Sequence, residues 1–339
     1  MSTSQSFIMS VSLAGTGHAV PERSYPNAFF EKTLDTSNEW IVQRTGIRER
    51  RFAETDETTS AYAVRAARKA LEASGLAPED IGMTVLATST PDMRIPATAN
   101  IVQRELGLVN AYSYDISAAC SGFVFAMVAA NAHIRSGLTS SALVVAADLY
   151  SSIIDFEDRN TAVLFGDGAG AAVLVRQEKS EWAPDGRPSG VVAVSLNTDA
   201  SRWDNLTCVG GGTAARQTWT SADHGFVRMD GRDVFKQAVQ ACEARIRDVL
   251  DASGCKPEHI ACLIPHQANI RIIEKVAENV GYPLERMAMN LDRYGNMAAA
   301  SIPVALDEAV RSGRVGSGDL ILLVAAGAGF SSAAMLLRV

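Results

Sequence analysis

Residues 71–87, LEASGLAPEDIGMTVLA, can be laid on residues 250–266, LDASGCKPEHIACLIPH, with Leu, Ala, Ser, Gly, Pro, Glu and Ile in matching places at an offset of 250 − 71 = 179. A second pair follows in the same order: SGLTSSALVVAA at 136–147 resembles SGRVGSGDLILLVAA at 312–326, in each case a helix end and turn before an apolar strand. Two matches at nearly the same offset imply a duplicated unit of about half the chain. The boundary falls in the polar stretch RQEKSEWAPDGRPSG, dividing the chain into halves 1–177 and 178–339.

Each half alternates helix and strand. TTSAYAVRAARKALEASG (58–75) has a Thr/Ser start, apolar residues at helical spacing and a closing glycine, and IGMTVLAT then reads as a buried strand. ALVVAA and LILLVAA are apolar on both faces, as in sheets covered by helices on both sides. CSGFVFAMVAANAHIRS (120–136) is apolar nearly all round, which predicts a helix in the middle of the molecule. The expectation is an α/β protein of two similar layered halves around a buried helix pair.

Composition narrows the function. The 339 residues are 47% hydrophobic and 20% charged, as in an ordinary globular protein. A net charge of −7 argues against a dedicated nucleic-acid binder. No apolar run reaches the roughly 18 residues of a membrane helix, and MSTSQSFIMSVSLAG lacks a basic leader segment. Five widely spaced cysteines (Cys120, Cys208, Cys242, Cys255 and Cys262) do not make a disulfide framework, so a reducing cytoplasm is the expected compartment.

Cys120 stands in DISAACSGF, at the start of the apolar helix. Free N–H groups and the helix dipole there favour a thiolate and predict a lowered thiol pKa and rapid alkylation; the plainer alternative is an inert core cysteine. His266, in LIPHQAN, ends a buried strand where the repeat has Ala87 in the first half. Asn296, in NLDRYGNMAAASIP, lies three residues from 120 + 179 = 299, so Cys120 and Asn296 occupy matching loops before matching helices. Cys, His and Asn can therefore converge on one cavity.

That set supports more than one chemistry. A papain-like hydrolase fits the 266 − 120 = 146 spacing, but its CGSCW-type signature and chain order are missing. Cys255, His259, Cys262 and His266 have zinc-like spacing, yet the first half carries Leu76, Asp80, Met83 and Ala87 in those places. Gly166, Gly168 and Ala171 loosely match a dinucleotide fingerprint, but a strand rather than a helix is expected to follow them.

TSNEWIVQRTGIRERR (36–51), DISAACSGF, DRNTAVLFGDGAGAAVLV (158–175), PHQANIRII (265–273), NLDRYGNMAAASIP and GAGFSSAAMLLRV (327–339) together resemble, in order and over the whole chain, the signatures of the β-ketoacyl-acyl carrier protein synthase III family. The resemblance implies a thiolase fold of two βαβαβαββ halves, layered α-β-α-β-α, usually as a homodimer. It implies an acyltransferase in which Cys120 takes an acyl group from acyl-CoA and passes it to malonyl-acyl carrier protein by decarboxylative condensation. The backbone N–H groups of Cys120 and Ala328 would form the oxyanion hole, and His266 and Asn296 would stabilise the enolate, with no metal and no cofactor beyond the acyl-CoA substrate. Trp40 and Arg159 would sandwich the CoA adenine, Thr36 and Arg44 would lie beside the nucleotide, and Asn269 and Arg271 would meet the pantetheine arm. Arg271 and Lys275 would offer a local positive patch to an acidic carrier protein, although Glu274 and Glu278 share their helix.

Ile95 and Ala326 are implied at the acyl pocket. The family often has Phe where Ile95 stands, an aromatic where Ala326 stands, Thr-Trp-Gly where Ser331, Ser332 and Ala333 stand, and Gly where Asn160 stands. These departures predict a deeper pocket and primers of four to eight carbons, unless another side chain fills the space. A condensing enzyme or acyltransferase of a specialised pathway is the alternative on the same fold.

Overall fold

The computed structural model describes residues 10–177, 189–215 and 225–339. The first half runs β1 (Ser10–Ala19), β2 (Ser24–Pro26), α1 (Asn38–Thr45), β3 (Glu49–Arg51), α2 (Thr59–Ser74), β4 (Met83–Ala87), α3 (Thr98–Leu106), β5 (Tyr112–Ile116), α4 (Gly122–Arg135), β6 (Ser141–Leu149), α5 (Arg159–Ala162) and β7 (Asp167–Gln177). The second runs β8 (Gly190–Thr198), β9 (Leu206–Thr207), β10 (Arg228–Met229), α6 (Gly231–Ser253), β11 (Cys262–Pro265), α7 (Ile270–Val280), α8 (Leu291–Tyr294), α9 (Ser301–Arg311), β12 (Leu320–Gly327) and β13 (Ser331–Arg338). The expected junction at residue 178 falls in 178–188, outside the described residues.

Local chemistry sets the helix ends in both halves alike. Thr58 caps α2 by accepting the Ala61 N–H, and Asp230 caps α6 by accepting the N–H groups of Arg232 and Asp233. Both helices stop at a left-handed glycine, Gly75 (φ 70°) and Gly254 (φ 67°), a conformation that a Cβ disfavours. The two glycines are 179 residues apart, so the repeat seen in the sequence is a repeat of backbone geometry. The dinucleotide-like glycines precede or lie within the strand β7, not a strand-to-helix turn.

In the first sheet, β4 pairs in parallel with β5 and β6, while β7 runs antiparallel between β6 and β1, giving the order β1-β7-β6-β4-β5. In the second, β11 and β12 are parallel and β13 and β8 follow antiparallel, giving β11-β12-β13-β8. Among the described residues the two main sheets differ by one strand. The strand that would answer β5 is reduced to a single parallel bridge between Leu263 and Met287, followed by α8, so the second half is not a full βαβαβαββ unit.

Helices α2 and α3 cover the outer face of the first sheet and α6 the outer face of the second, while α4 and α9 lie between the sheets. The strands are therefore apolar on both faces: every residue of β4, β6 and β12 is buried. The central apolar cluster joins Val85 and Met127 of the first half to Ile302 and Leu323 of the second, so the halves share one core. This five-layer arrangement brings the starts of α4 and α9 and the ends of β11 and β12 to one side of the molecule.

Candidate active site

Cys120 sits in a tight turn, Ala119–Ser121, that leads directly into α4. Ala119 has φ 46°, a left-handed value that alanine adopts only under constraint. The turn packs against β12, whose last residue, Gly327, approaches so closely that a Cβ there would lie 2.7 Å from the Cys120 nitrogen. Only glycine fits. His266 follows β11 and is fixed by its N–H donating to the Val324 carbonyl at 2.8 Å. Gln267 anchors the same turn, donating to the Pro265 carbonyl and accepting the Asn290 N–H at 3.1 Å. Asn296 is clamped to the first half: its N–H donates to the Leu164 carbonyl and its carbonyl accepts the Gly166 N–H.

The three residues line one cavity, partly open to solvent, together with Phe165, Leu206, Phe235, Ala326 and Ala328. Leu164, Phe235 and Asn269 line both this cavity and a wider entrance. The entrance is lined by Trp40 and the basic side chains Arg44, Arg159, Arg228, Arg232 and Arg271, with Asp158, Asp204 and Asp230 among them. A second chamber, lined by Ala118, Ala119, Tyr150, Leu206, Val227, Cys208 and Gly329, touches the Cys120 turn from the other side. Leu206 and Ala328 belong to both chambers, so the Cys120 turn and Ala328 form the partition between them.

The electrostatics follow from burial. Desolvation pushes the Cys120 thiol up to about 12, and the nearby Asp148 carboxylate adds to the shift. The lowered thiol pKa expected from the helix start is thus overturned. A helix dipole contributes about 0.3–1 kcal/mol, less than one pKa unit, whereas full burial can shift a group by roughly 3–5 units. Cys208 is the exposed thiol and Cys255 is half-buried, so these two are more open to alkylation than Cys120. Burial pushes His266 down to about 4, so its imidazole is neutral, and Nδ1 has no hydrogen-bond partner among the described residues. Asn296 Oδ1 accepts the Ala298 N–H at 2.9 Å, which leaves the amide NH₂ as the donor that can face the cavity.

The structure brings most of the expected nucleotide contacts to the entrance. The Arg159 guanidinium lies 5.0 Å from the Trp40 ring centre, and Arg44 lies 5.7 Å from it. A base slipped between Trp40 and Arg159 needs roughly 7 Å, two stacking distances, so Arg159 must swing outward to admit it. Asn269 acts as a strut, since it caps α7 by accepting the Arg271 N–H and donates to the Arg44 carbonyl at 3.0 Å, tying two entrance segments together. Arg271 lies over Phe235, and Lys275 is paired with Glu278 at 2.7 Å, which removes it from the expected positive patch. Thr36 is not among the residues lining the entrance, and its buried Oγ1 has no partner among the described residues.

Ala326 lines the cavity, but Ile95 is 86% exposed and does not line the Cys120 cavity of its own chain. It lies on the loop between β4 and α3, outside the two half cores. Sequence reasoning also missed Tyr150, which stacks on Phe165 with ring centres 4.6 Å apart in the same apolar cluster as Cys120. Among the described residues, no group of three or more His, Cys, Asp or Glu is placed to hold a metal ion. In the zinc-like set, Cys262 is buried in β11 and His259 Nδ1 accepts the Lys256 N–H. No helix among the described residues is long and apolar enough to cross a membrane.

Comparison with known proteins agrees with this architecture. Residues 114–199 match the domain described as 3-oxoacyl-[acyl-carrier-protein (ACP)] synthase III, and residues 250–339 match its C-terminal domain. The chain is 46% identical over 324 residues to β-ketoacyl-[acyl-carrier-protein] synthase III of Rhizorhabdus wittichii, covering 96% of this chain and 98% of that protein. The crystal structure of 3-oxoacyl-[acyl-carrier-protein] synthase III from Aquifex aeolicus superposes with a TM-score of 0.89 at 42% identity, over 97% of this chain and all (100%) of that one. The Pseudomonas aeruginosa structure gives 0.88 at 39% identity, over 97% and 98%. With the thiolase-like fold and the Cys, His and Asn cavity in place, the chain belongs to the β-ketoacyl-acyl carrier protein synthase III family of condensing acyltransferases.

Proposed function

We propose that this enzyme starts fatty acid synthesis by joining an acyl group from acyl-CoA to malonyl-acyl carrier protein. The observation that carries this reading is the single cavity lined by Cys120, His266 and Asn296, which opens through Leu164, Phe235 and Asn269 to an arginine-lined entrance. Such an entrance suits the phosphates of CoA and the acidic surface and phosphopantetheine of a carrier protein.

The Cys120 sulfur attacks the thioester carbonyl of acyl-CoA, and its proton leaves with the CoA thiol. The N–H groups of Cys120 and Ala328 hold the oxyanion, and an acyl-cysteine remains. Malonyl-carrier protein then enters the vacated tunnel. His266 Nε2 and the Asn296 amide donate to its thioester oxygen as carbon dioxide departs and an enolate forms. Neutral His266 is suited to this: it offers an N–H without a buried charge. The enolate carbon attacks the acyl-cysteine carbonyl, the C–S bond breaks, and 3-oxoacyl-carrier protein leaves while Cys120 recovers a proton.

In this reading the acyl chain extends into the chamber beyond the Cys120 turn, which Tyr150 lines; Tyr150 stacks on Phe165, which lines the Cys120 cavity together with the small Ala326. Ile95 reaches such a pocket only across a homodimer contact. A dimer is supported by the free edge of β5 and by the exposed row Val192, Val194 and Leu196 on β8, both elements packing against α4. Five free thiols support a reducing cytoplasm. The testing experiment is a panel of acyl-CoAs, from acetyl to octanoyl, with malonyl-carrier protein and mass analysis of the product. A 3-oxoacyl-carrier protein two carbons longer than the primer is expected; acyl-carrier protein of unchanged length would mean transfer without condensation.

A further inference from the structure

The two halves are alike at the active site in backbone but not in side chain. The turn at Ala119–Ser121 has its copy 179 residues on at Ala298–Ala300, and the strained residues Ala119 and Ala298 have φ values of 46° and 45°. Each turn rests on the strand end of the other half: that of Cys120 on β12, that of Ala299 on β6. Cys120 and Ala299 are therefore symmetry mates, and so are the strand-end residues Gly327 and Asp148, at the same offset. In the second half the Ala299 N–H donates to Asp148 Oδ2 at 3.0 Å. In the first half the corresponding N–H, that of Cys120, faces Gly327, which has no side chain to accept it.

Asp148 is wholly buried, and four donors from two segments, Thr88–Thr90 and Ala299, converge on it. Its Oδ1 accepts the Ser89 N–H at 2.7 Å and the Thr88 and Thr90 hydroxyls at 3.3 Å, while Oδ2 takes Ala299. Next to Ala299, the Ala298 N–H is held by Asn296 Oδ1. A chain of contacts thus runs from the carboxylate through the two N–H groups at the head of α9 to the amide of Asn296.

We propose that Asp148 is a positioning residue: it fills, in the second half, the seat left open as the oxyanion hole in the first, and by holding the Ala299 N–H it aims Asn296 at the malonyl thioester. One duplicated turn is open to a substrate oxygen and the other is closed by a carboxylate, so a symmetric fold carries an asymmetric site. This rests on the roles assigned above to Cys120 and Asn296. Among the described residues no cation belongs to the hydrogen-bonded set of the carboxyl group; burial pushes it up to about 7 against the pull of its four donors, the titratable groups beside it are Cys120 and Tyr150, and in its ionised form it opposes a thiolate at Cys120. Asparagine cannot replace it without conflict, because the Ser89 and Ala299 N–H groups donate to different oxygens and the amide offers one acceptor atom.

The test uses Asp148→Asn, Asn296→Ala and the double variant, measuring two half-reactions: acyl transfer to Cys120 by intact mass, and carbon dioxide release from malonyl-carrier protein. Asp148→Asn is expected to lose about a hundredfold in carbon dioxide release, the scale of a misplaced catalytic group, while acylation stays within about threefold. The double variant is expected to be no slower in carbon dioxide release than Asn296→Ala alone, since both act through one amide. Thr88→Val, which removes one donor, serves where Asp148→Asn does not fold, and should slow the same half-reaction about fivefold. Losses that multiply in the double variant, or an Asp148→Asn protein impaired equally in both half-reactions, would overturn the proposal. A native protein that performs neither half-reaction would sink the proposed function instead.

Discussion

Replacing Gly327 by alanine should stop acyl transfer while leaving the protein folded. Gly327 has φ −152° and ψ −178°, an extended backbone that alanine adopts freely, so the whole effect is steric. The new methyl would lie 2.7 Å from the Cys120 nitrogen, 3.1 Å from its Cβ and 3.2 Å from its Cα. Ordinary contacts between such atoms are roughly 3.5–4.0 Å, so the Cys120 turn must retreat by about 0.8 Å or more. All three atoms are held by backbone, with no flexible side-chain end to give way. Overpacking of this kind costs about 1–3 kcal/mol, which a chain of this size survives. The methyl also covers the N–H that receives the oxyanion, and removing one such donor slows a reaction roughly 10²- to 10³-fold. The assay is the rate at which acyl-CoA adds one acyl mass to the protein, paired with a thermal melt. An alanine variant that acylates within about threefold of the native rate would refute the assignment of this N–H and the close-approach argument with it.

His266→Ala and Asn296→Ala should each lose about 2.7–4 kcal/mol of transition-state stabilisation for carbon dioxide release, yet still accept an acyl group on Cys120; equal loss of both half-reactions would mark a Cys–His pair of the hydrolase kind. Because the Cys120 thiol is pushed up to about 12, its thiolate is scarce at neutral pH, and its alkylation by iodoacetamide without acyl-CoA should keep rising tenfold per pH unit from 7 through 10, with Cys208 labelled first; a plateau below pH 9 would contradict the burial argument. His266 is neutral in the fold but protonates near 6.5 once unfolded, so its depressed pKa withdraws stability as pH falls from 6.5 towards 4; relative to the native protein, His266→Gln should flatten that part of a denaturation profile, and an unchanged profile would contradict the assignment. Tyr150→Leu should raise kcat/KM for hexanoyl-CoA relative to acetyl-CoA and Ile95→Phe should lower it, each methylene accommodated being worth roughly 1–3 kcal/mol; an unchanged ranking in both would remove these residues from the acyl pocket.

The repeat was the most legible part of the chain because duplicated sequence keeps duplicated backbone. The offset of 179 predicts the paired helix ends at Gly75 and Gly254, and by itself it relates Cys120 to the neighbourhood of Asn296. It does not show that the strand answering β5 has shrunk to the bridge at Met287, because an isolated bridge leaves no hydrophobic pattern of its own. That Cys120, His266 and Asn296 meet in one cavity was readable, since Cys, His and Asn at strand and helix ends of a duplicated fold have few structural uses in common. Their electrostatics were not: the rise of the Cys120 pKa depends on complete burial beside Asp148, and neither can be counted from linear spacing. Three of the entrance arginines, Arg44, Arg159 and Arg271, were named from the sequence, but Arg228 and Arg232, the use of Asn269 as a strut to Arg44 and the pairing of Lys275 with Glu278 depend on which neighbours are nearest in space. Ile95 shows a different limit: the resemblance implied it at the acyl pocket, whereas on its own chain it is merely exposed, and linear spacing does not tell a surface residue from a pocket one.

The most direct measurement of the central claim is an intact-mass experiment in two stages. The native protein and Cys120→Ala are first exposed briefly to acyl-CoA, and malonyl-carrier protein is then added. In the native protein one acyl group should appear, map to the peptide containing Cys120, and vanish on addition of malonyl-carrier protein as 3-oxoacyl-carrier protein forms with one carbon dioxide released per acyl group consumed. Cys120→Ala should remain unmodified throughout. An acyl group gained by Cys120→Ala, or one on the native protein that leaves as free acid without carbon–carbon bond formation, would contradict the account.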